Sequence, residues 1–144
     1  MFEIRPYLPG DADAVIEVWR QSGLLWPTNH PGRDIARKLK VRPDLFLVGT
    51  LEGAVIATLM AGYEGHRGVI NYFGVLPRYQ RRGFGRRMMD HAEALLRGEG
   101  CAKINLHVRQ SNPAVIEFYR KLGYQEEPVV CLGKRLERDP SSGA

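Results

Sequence analysis

Only two cysteines, Cys101 and Cys131, occur in 144 residues, and their spacing fits no metal site. Each lies in an apolar context, which predicts buried free thiols rather than a disulfide. No run of about 18 apolar residues is present, which excludes a membrane-spanning helix. The opening Met1-Phe2-Glu3-Ile4-Arg5 has no apolar core of the kind a secretory signal needs, so a cytoplasmic location is expected. Internal repeats, low-complexity blocks and linkers are absent, and this length fits one domain with a real core. Its expected bounds are 1–138, with 139–144 as a flexible tail.

What is present is an ordinary globular composition, 44% apolar and 26% charged, with a net charge of +5. That excess of positive charge suits nucleic acid, a membrane surface or a polyanionic small molecule. The charge is clumped: Arg78, Arg81, Arg82, Arg86 and Arg87 form one cluster, and Lys134, Arg135 and Arg138 another. The first cluster coincides with the most informative stretch of the chain, Gln80-Arg81-Arg82-Gly83-Phe84-Gly85. An apolar run, Val69 to Val75, precedes it and a helical pattern follows, so a strand feeds a glycine-containing turn that opens a helix. The first amides of a helix lack intrahelical partners and carry the positive end of its dipole. Such a turn is an anion site, and phosphate is its usual guest. A P-loop is excluded because no Gly-Lys-Ser/Thr ending occurs; a Rossmann-like nucleotide site is one open reading.

The rest of the chain gives the turn its setting. Phe2 to Tyr7 alternates as a strand, and Pro9-Gly10-Asp11 makes a turn with Asp11 or Asp13 as helix cap. Ala12, Val15, Ile16 and Trp19 recur at helical spacing up to Ser22-Gly23. Leu24 to Pro31 is a proline-bounded loop, and a short basic helix covers Asp34 to Lys40. Leu45 to Leu51 and Ala54 to Tyr63 form a hairpin about Glu52-Gly53. Glu64 to Gly68 is a second hairpin loop before the Val69 to Val75 strand. Phe84, Met88, Ala92 and Leu95 mark the next helix, ending at Gly98 to Gly100; Ile104, Leu106 and Val108 alternate as a strand. Asn112-Pro113 is an N-cap followed by proline, opening a helix that Gly123 closes. Tyr124 to Leu136 is expected to hold two short strands around Pro128. The order β-α-α-β-β-β-α-β-α-β-β predicts an α/β (α+β) fold: a mixed, mostly antiparallel sheet with helices on both faces.

Two stretches together resemble a known family. Val75-Leu76-Pro77-Arg78-Tyr79-Gln80-Arg81-Arg82-Gly83-Phe84-Gly85 is similar to the acyl-CoA motif V-x-P-x-x-Q/R-x-x-G-x-G/A of the GNAT N-acetyltransferases. Asn112 with Phe118-Tyr119-Arg120-Lys121-Leu122-Gly123-Tyr124 resembles the family's second motif. The motifs stand in the family's order, and the resemblance covers essentially the whole chain. Ser22 to Leu25, Gly62 to Gly68 and Leu132 to Leu136 further resemble the small bacterial YpeA-type branch. The resemblance implies a central sheet of six to seven strands whose middle strands splay, and transfer of acetyl from acetyl-CoA to a primary amine by direct attack on the thioester. It implies no metal, nucleic acid or membrane partner, and a monomer or homodimer.

The same resemblance implies roles for individual residues. The CoA diphosphate would rest on Gln80, Arg81, Arg82, Gly83, Phe84, Gly85 and Arg86. The backbone of Phe73 and Val75 would pair with the pantetheine arm, one amide polarising the thioester carbonyl. Asn112 would bond the pantetheine amide as well as cap its helix. Tyr119 would protonate the departing thiolate. Many relatives carry a glutamate base on the strand before the turn; here Val69-Ile70-Asn71-Tyr72-Phe73-Gly74-Val75 has no carboxylate. Glu64, acting through water, is then the expected base, with His66, a water chain and Tyr72 as alternatives. Trp26 and Asn29 would line the acceptor site. The absent strand carboxylate also leaves a second function open, a non-catalytic acyl-CoA sensor on the same fold.

Overall fold

Alternating side chains on neighbouring strands set up two apolar faces in the computed structural model, which describes residues 1–137. The expected tail at 139–144 lies outside those residues. The chain divides into two compact units, Met1–Leu106 and His107–Ala144.

The first unit carries the sheet. β1 (Phe2–Pro6), β2 (Phe46–Leu51), β3 (Ala54–Tyr63), β4 (Gly68–Val75) and β5 (Ile104–Leu106) are ordered β1-β2-β3-β4-β5. β1 through β4 are antiparallel neighbours, and β5 joins β4 in parallel. The β2–β3 turn places Glu52 and Gly53 at φ 50 and 83, the doubly left-handed geometry that suits the twist of a two-residue hairpin. Three helices accompany the sheet: α1 (Ala12–Gln21), α2 (Pro31–Lys38) and α3 (Phe84–Gly98). Phe46 and Val48 of β2 face one way and share a buried cluster with Val15 and Trp19 of α1 and Ile35 of α2.

Gly49 faces the other way, toward α3. A Cβ there would stand 2.5 Å from the Phe2 ring and 2.9 Å from Met88 Sδ. Gly49→Ala should therefore overpack the core and cost about 1–3 kcal/mol in urea denaturation. An unchanged midpoint would contradict this packing. At the start of α1, Asp11 holds the N-cap position without a side-chain bond to its helix. Its carboxylate accepts instead from Leu8 N at 2.8 Å and from both Arg5 guanidinium nitrogens, at 2.7 and 3.0 Å. The Arg5 hydrogen bond holds this carboxyl below the usual range, so its contribution is present at neutral pH and is lost as acid protonates it.

The second unit contains α4 (Pro113–Lys121), opened by Pro113 and closed by Gly123 at φ 98. Asn112 takes the N-cap position, but its side chain makes no cap hydrogen bond, contrary to expectation. The expected strands within 124–136 are also absent among the described residues, so the sheet has five strands rather than six to seven. The reason is local. Pro128 donates no hydrogen bond, and the next amide, Val129 N, turns back to Glu127 O at 2.9 Å, so no extended ladder begins. Val129, Val130 and Leu132 are exposed, and Cys131 with them. Both cysteines are free, but Cys101 is only half-buried, so the expectation of buried thiols fails at both.

Candidate active site

The glycine turn has the backbone an anion site needs. Leu76 N donates to Ile56 O at 2.9 Å as β4 leaves the sheet, and Pro77–Tyr79 makes one tight turn. Arg81 then sits at φ 63 and Gly83 at φ 83, and α3 begins at Phe84. No side chain caps α3, and Arg87 N donates to Gly83 O, so the amides of Phe84, Gly85 and Arg86 precede that first helical bond. A Cβ on Gly83 would meet nothing within 4 Å, so its positive φ, not crowding, calls for glycine. Phe84 is buried and stacks on Phe2, with centroids 4.5 Å apart, which anchors the helix start.

Charge is arranged around this turn. The Arg78 and Arg82 guanidinium groups lie over the Tyr79 ring at 5.0 and 5.6 Å, and Arg82 also lies 5.2 Å from the Phe84 ring. Arg87 leaves the cluster: it donates to Phe2 O at 3.2 Å and stacks over that ring at 4.9 Å. Arg81 and Arg86 are exposed at the turn itself. Gln80 turns back, its Nε2 donating to Val75 O at 2.9 Å. Ser22 Oγ, at the end of α1, donates to the same carbonyl at 3.2 Å. These two bonds tie the glycine turn and α1 to the last residue of β4.

β4 is bulged just before Phe73 and Val75, the residues expected to face the pantetheine arm. Its ladder to β3 passes from Thr58↔Gly74 to Met60↔Asn71, so β4 carries one extra residue. Tyr72, inside the bulge, has φ 48, a conformation costing a bulky residue on the order of 1–3 kcal/mol. Three contacts hold it there. Its ring stacks on Trp19 with centroids 3.8 Å apart, Thr58 Oγ1 donates to its carbonyl at 2.9 Å, and Trp19 Nε1 donates to Thr58 Oγ1 at 3.0 Å. Thr58 is fully buried, so Thr58→Val should strand both partners and cost roughly 1–3 kcal/mol in thermal or urea unfolding. A neutral substitution would refute the relay. On the other edge, β4 pairs with β5 only from Gly68↔Ile104 to Ile70↔Leu106, and the ladder stops there. β5 itself ends at Leu106, so the second half of β4 runs on with no strand beside it on that edge.

The remaining expected residues divide. Glu64 stands in the β3–β4 loop, where its carboxylate accepts from His66 N at 2.7 Å and from Arg67 N. Those amide bonds, Arg67's the stronger, lower its pKa. Five residues of strand separate Gly68 from Phe73, roughly 15 Å, so Glu64 is held at the far end of β4. Trp26 is exposed, and its amide donates to Asn29 Oδ1 at 2.7 Å, so Asn29 closes the loop before α2. In the second unit, Tyr119 is buried, with Phe118 and Tyr124 edge-on at 5.3 and 5.5 Å, and burial raises its pKa. Sequence reasoning passed over Asp34, whose Oδ2 accepts from Tyr72 Oη at 2.6 Å. The available signal was a lone carboxylate among the cations Arg33, Arg37, Lys38 and Lys40.

In the comparison with known families, residues 13–124, which include the bulged strand and the glycine turn, match the acetyltransferase (GNAT) family. The chain belongs to the GNAT acetyltransferase family. An acetyltransferase of Sodalis glossinidius is 46% identical over 138 residues, covering 95% of this chain and 97% of that one. Among solved structures, the ribosomal-protein-S18-alanine N-acetyltransferase of Escherichia coli is 25% identical with a TM-score of 0.74, covering 88% of this chain and 79% of its own. AAC(6')-Iy, solved with a CoA-containing bisubstrate analog, shares the fold at 18% identity and a TM-score of 0.75, over 94% of this chain and 99% of its own. This GNAT chain is an N-acetyltransferase by class. Its described residues hold no helix long and apolar enough to cross a membrane.

Proposed function

We propose that this chain is a cytoplasmic enzyme that moves an acetyl group from acetyl-CoA to a primary amine. The observation that carries the reading is the continuous path from the β4 bulge through Val75 to the uncapped start of α3. The diphosphate of CoA rests on the amides of Gly83 to Arg86, with Arg81, Arg82 and Arg86 supplying charge. An extended pantetheine laid along Phe73 to Val75 presents its amides to the strand backbone as an added strand would. The reacting carbonyl is polarised there by main-chain N–H groups.

The chemistry balances with one acid and solvent. The amine nitrogen attacks the thioester carbon, the carbon–sulfur bond breaks, and the sulfur takes a proton from Tyr119. Water restores that proton and accepts the one the new amide sheds. Burial raises the Tyr119 pKa, so its hydroxyl stays protonated across the working pH range. Asn112, whose side chain makes no cap bond, serves the pantetheine amide. Glu64 is not assigned the base because the loop amides hold it and strand length separates it from Phe73. Trp26 contributes an apolar wall to the acceptor side, on a loop that Asn29 shapes.

Calorimetric titration with acetyl-CoA, CoA and ATP tests the donor. Acetyl-CoA and CoA should bind alike and far more tightly than ATP, because pantetheine pairing adds to the phosphate contact. Equal binding of ATP would leave only a phosphate site and refute the CoA assignment.

A further inference from the structure

Arg42, Glu52, Tyr72 and Arg81 are the described non-glycine residues with positive φ, and of these only Tyr72 lies within a strand. Trp19 and Thr58 already fix its ring and carbonyl. Its hydroxyl has a separate commitment, reaching across to α2 to donate to Asp34 Oδ2 at 2.6 Å. Both side chains are half-buried, and the Asp34 side chain is 25% exposed. A tyrosine oxygen whose proton is given to a carboxylate has only lone pairs left to offer, so it becomes an acceptor for an N–H group. A carboxylate behind it adds negative charge that favours an ammonium ion over a neutral group.

The surrounding charges leave that role open. On α2, Arg37 Nη1 stands 3.9 Å from Asp34 Oδ1, at the outer limit of an ion pair, and its side chain is 57% exposed. Lys38 spends its ammonium on Ala61 O at 2.6 Å. Tyr72 precedes Phe73 at the point where β4 has left β5, next to the stretch assigned above to the thioester. Burial and the Asp34 hydrogen bond both raise the Tyr72 pKa, which keeps the hydroxyl protonated and the arrangement fixed.

We propose that Tyr72 Oη accepts a hydrogen bond from the acceptor amine, and that Asp34 is the positioning residue that orients this hydroxyl and selects cationic amines. This rests on the acetyl-transfer reading. The amine arrives as its ammonium form, loses one proton to water, and keeps an N–H on Tyr72 while its lone pair turns to the thioester carbon. The pair thus fills, by orientation rather than proton abstraction, part of the place left by the missing strand carboxylate.

The test uses the full chain, acetyl-CoA and three amine probes: spermidine, a peptide beginning with alanine, and Nα-acetyl-lysine. Thiol release gives kcat and KM for each, and the acetyl-CoA-induced melting shift is measured beside it. Tyr72→Phe keeps the ring on Trp19 and should raise the amine KM at least about tenfold, with acetyl-CoA KM and the melting shift unchanged. Asp34→Asn should raise the amine KM in the same direction, and the double variant should be no worse than Tyr72→Phe alone. A purely structural tie would lower the melting temperature and leave the amine KM alone, and that result overturns the proposal. So does a wild type that shows the acetyl-CoA shift yet acetylates none of the three probes. A wild type with no acetyl-CoA shift overturns the donor assignment itself, and is thereby distinguished from failure at the acceptor.

Discussion

Replacing Gly83 with glutamate is expected to abolish the acetyl-CoA-dependent rise in melting temperature. In the wild type, acetyl-CoA at a hundred times its Kd stabilises the fold by about 2.7 kcal/mol through mass action. At roughly 3 °C per kcal/mol for a chain of this size, the rise is on the order of 8 °C. On the proposed reading the ligand's diphosphate rests at the Gly83 amide region, and the glutamate side chain would place a carboxylate there instead. Space for that side chain exists, since a Cβ meets nothing within 4 Å, so the variant should still fold. The left-handed φ of 83 at this position costs a non-glycine residue about 1–2 kcal/mol. An acid at the helix start returns part of that through the dipole. Loss of the shift in a folded protein therefore reports the anion site and not collapse. Gly83→Asn, which tolerates the same φ without charge, should keep most of the shift. A full shift in Gly83→Glu would move the diphosphate elsewhere.

Tyr119→Phe should lower kcat on the order of a hundredfold while the acetyl-CoA Kd stays within about twofold, the range expected when a general acid is removed. The phenyl ring keeps the edge-on contacts with Phe118 and Tyr124, so packing is conserved and only the hydroxyl is lost. The effect should appear most strongly with poorly basic amines, for which expulsion of thiolate is the harder half of the reaction. Urea unfolding of the variant checks that stability is not the cause. Equal turnover in the two forms would remove Tyr119 from the mechanism and strengthen the sensor alternative.

How far the residues alone reached can be seen strand by strand. The Ala54–Tyr63 strand, its Glu52-Gly53 turn and the helix starting at Phe84 were legible because each has a local signature: alternation, a two-residue turn, a glycine entry. The C-terminal strands were misread because Val129 and Val130 carry β-propensity, while strand formation depends on a partner that propensity does not encode. Asn112 was placed correctly at its helix start, yet the bond its side chain makes is not fixed by position. The bulge was invisible for another reason. Nothing in Asn71-Tyr72-Phe73-Gly74 announces an extra residue; Trp19 and Thr58, distant in sequence, impose it. Asp34 was hidden likewise, because its partner Tyr72 lies 38 positions away. The glycine turn, by contrast, is contiguous, so its backbone shape and the helix it opens were legible from adjacent residues.

The most direct measurement of the central claim is thiol release from acetyl-CoA by the wild-type chain, with and without an amine panel, read together with product mass. The account predicts release that depends on the amine, matched one for one by a product heavier by a single acetyl group. Binding of acetyl-CoA with no amine-dependent release and no acetylated product across the panel would contradict it.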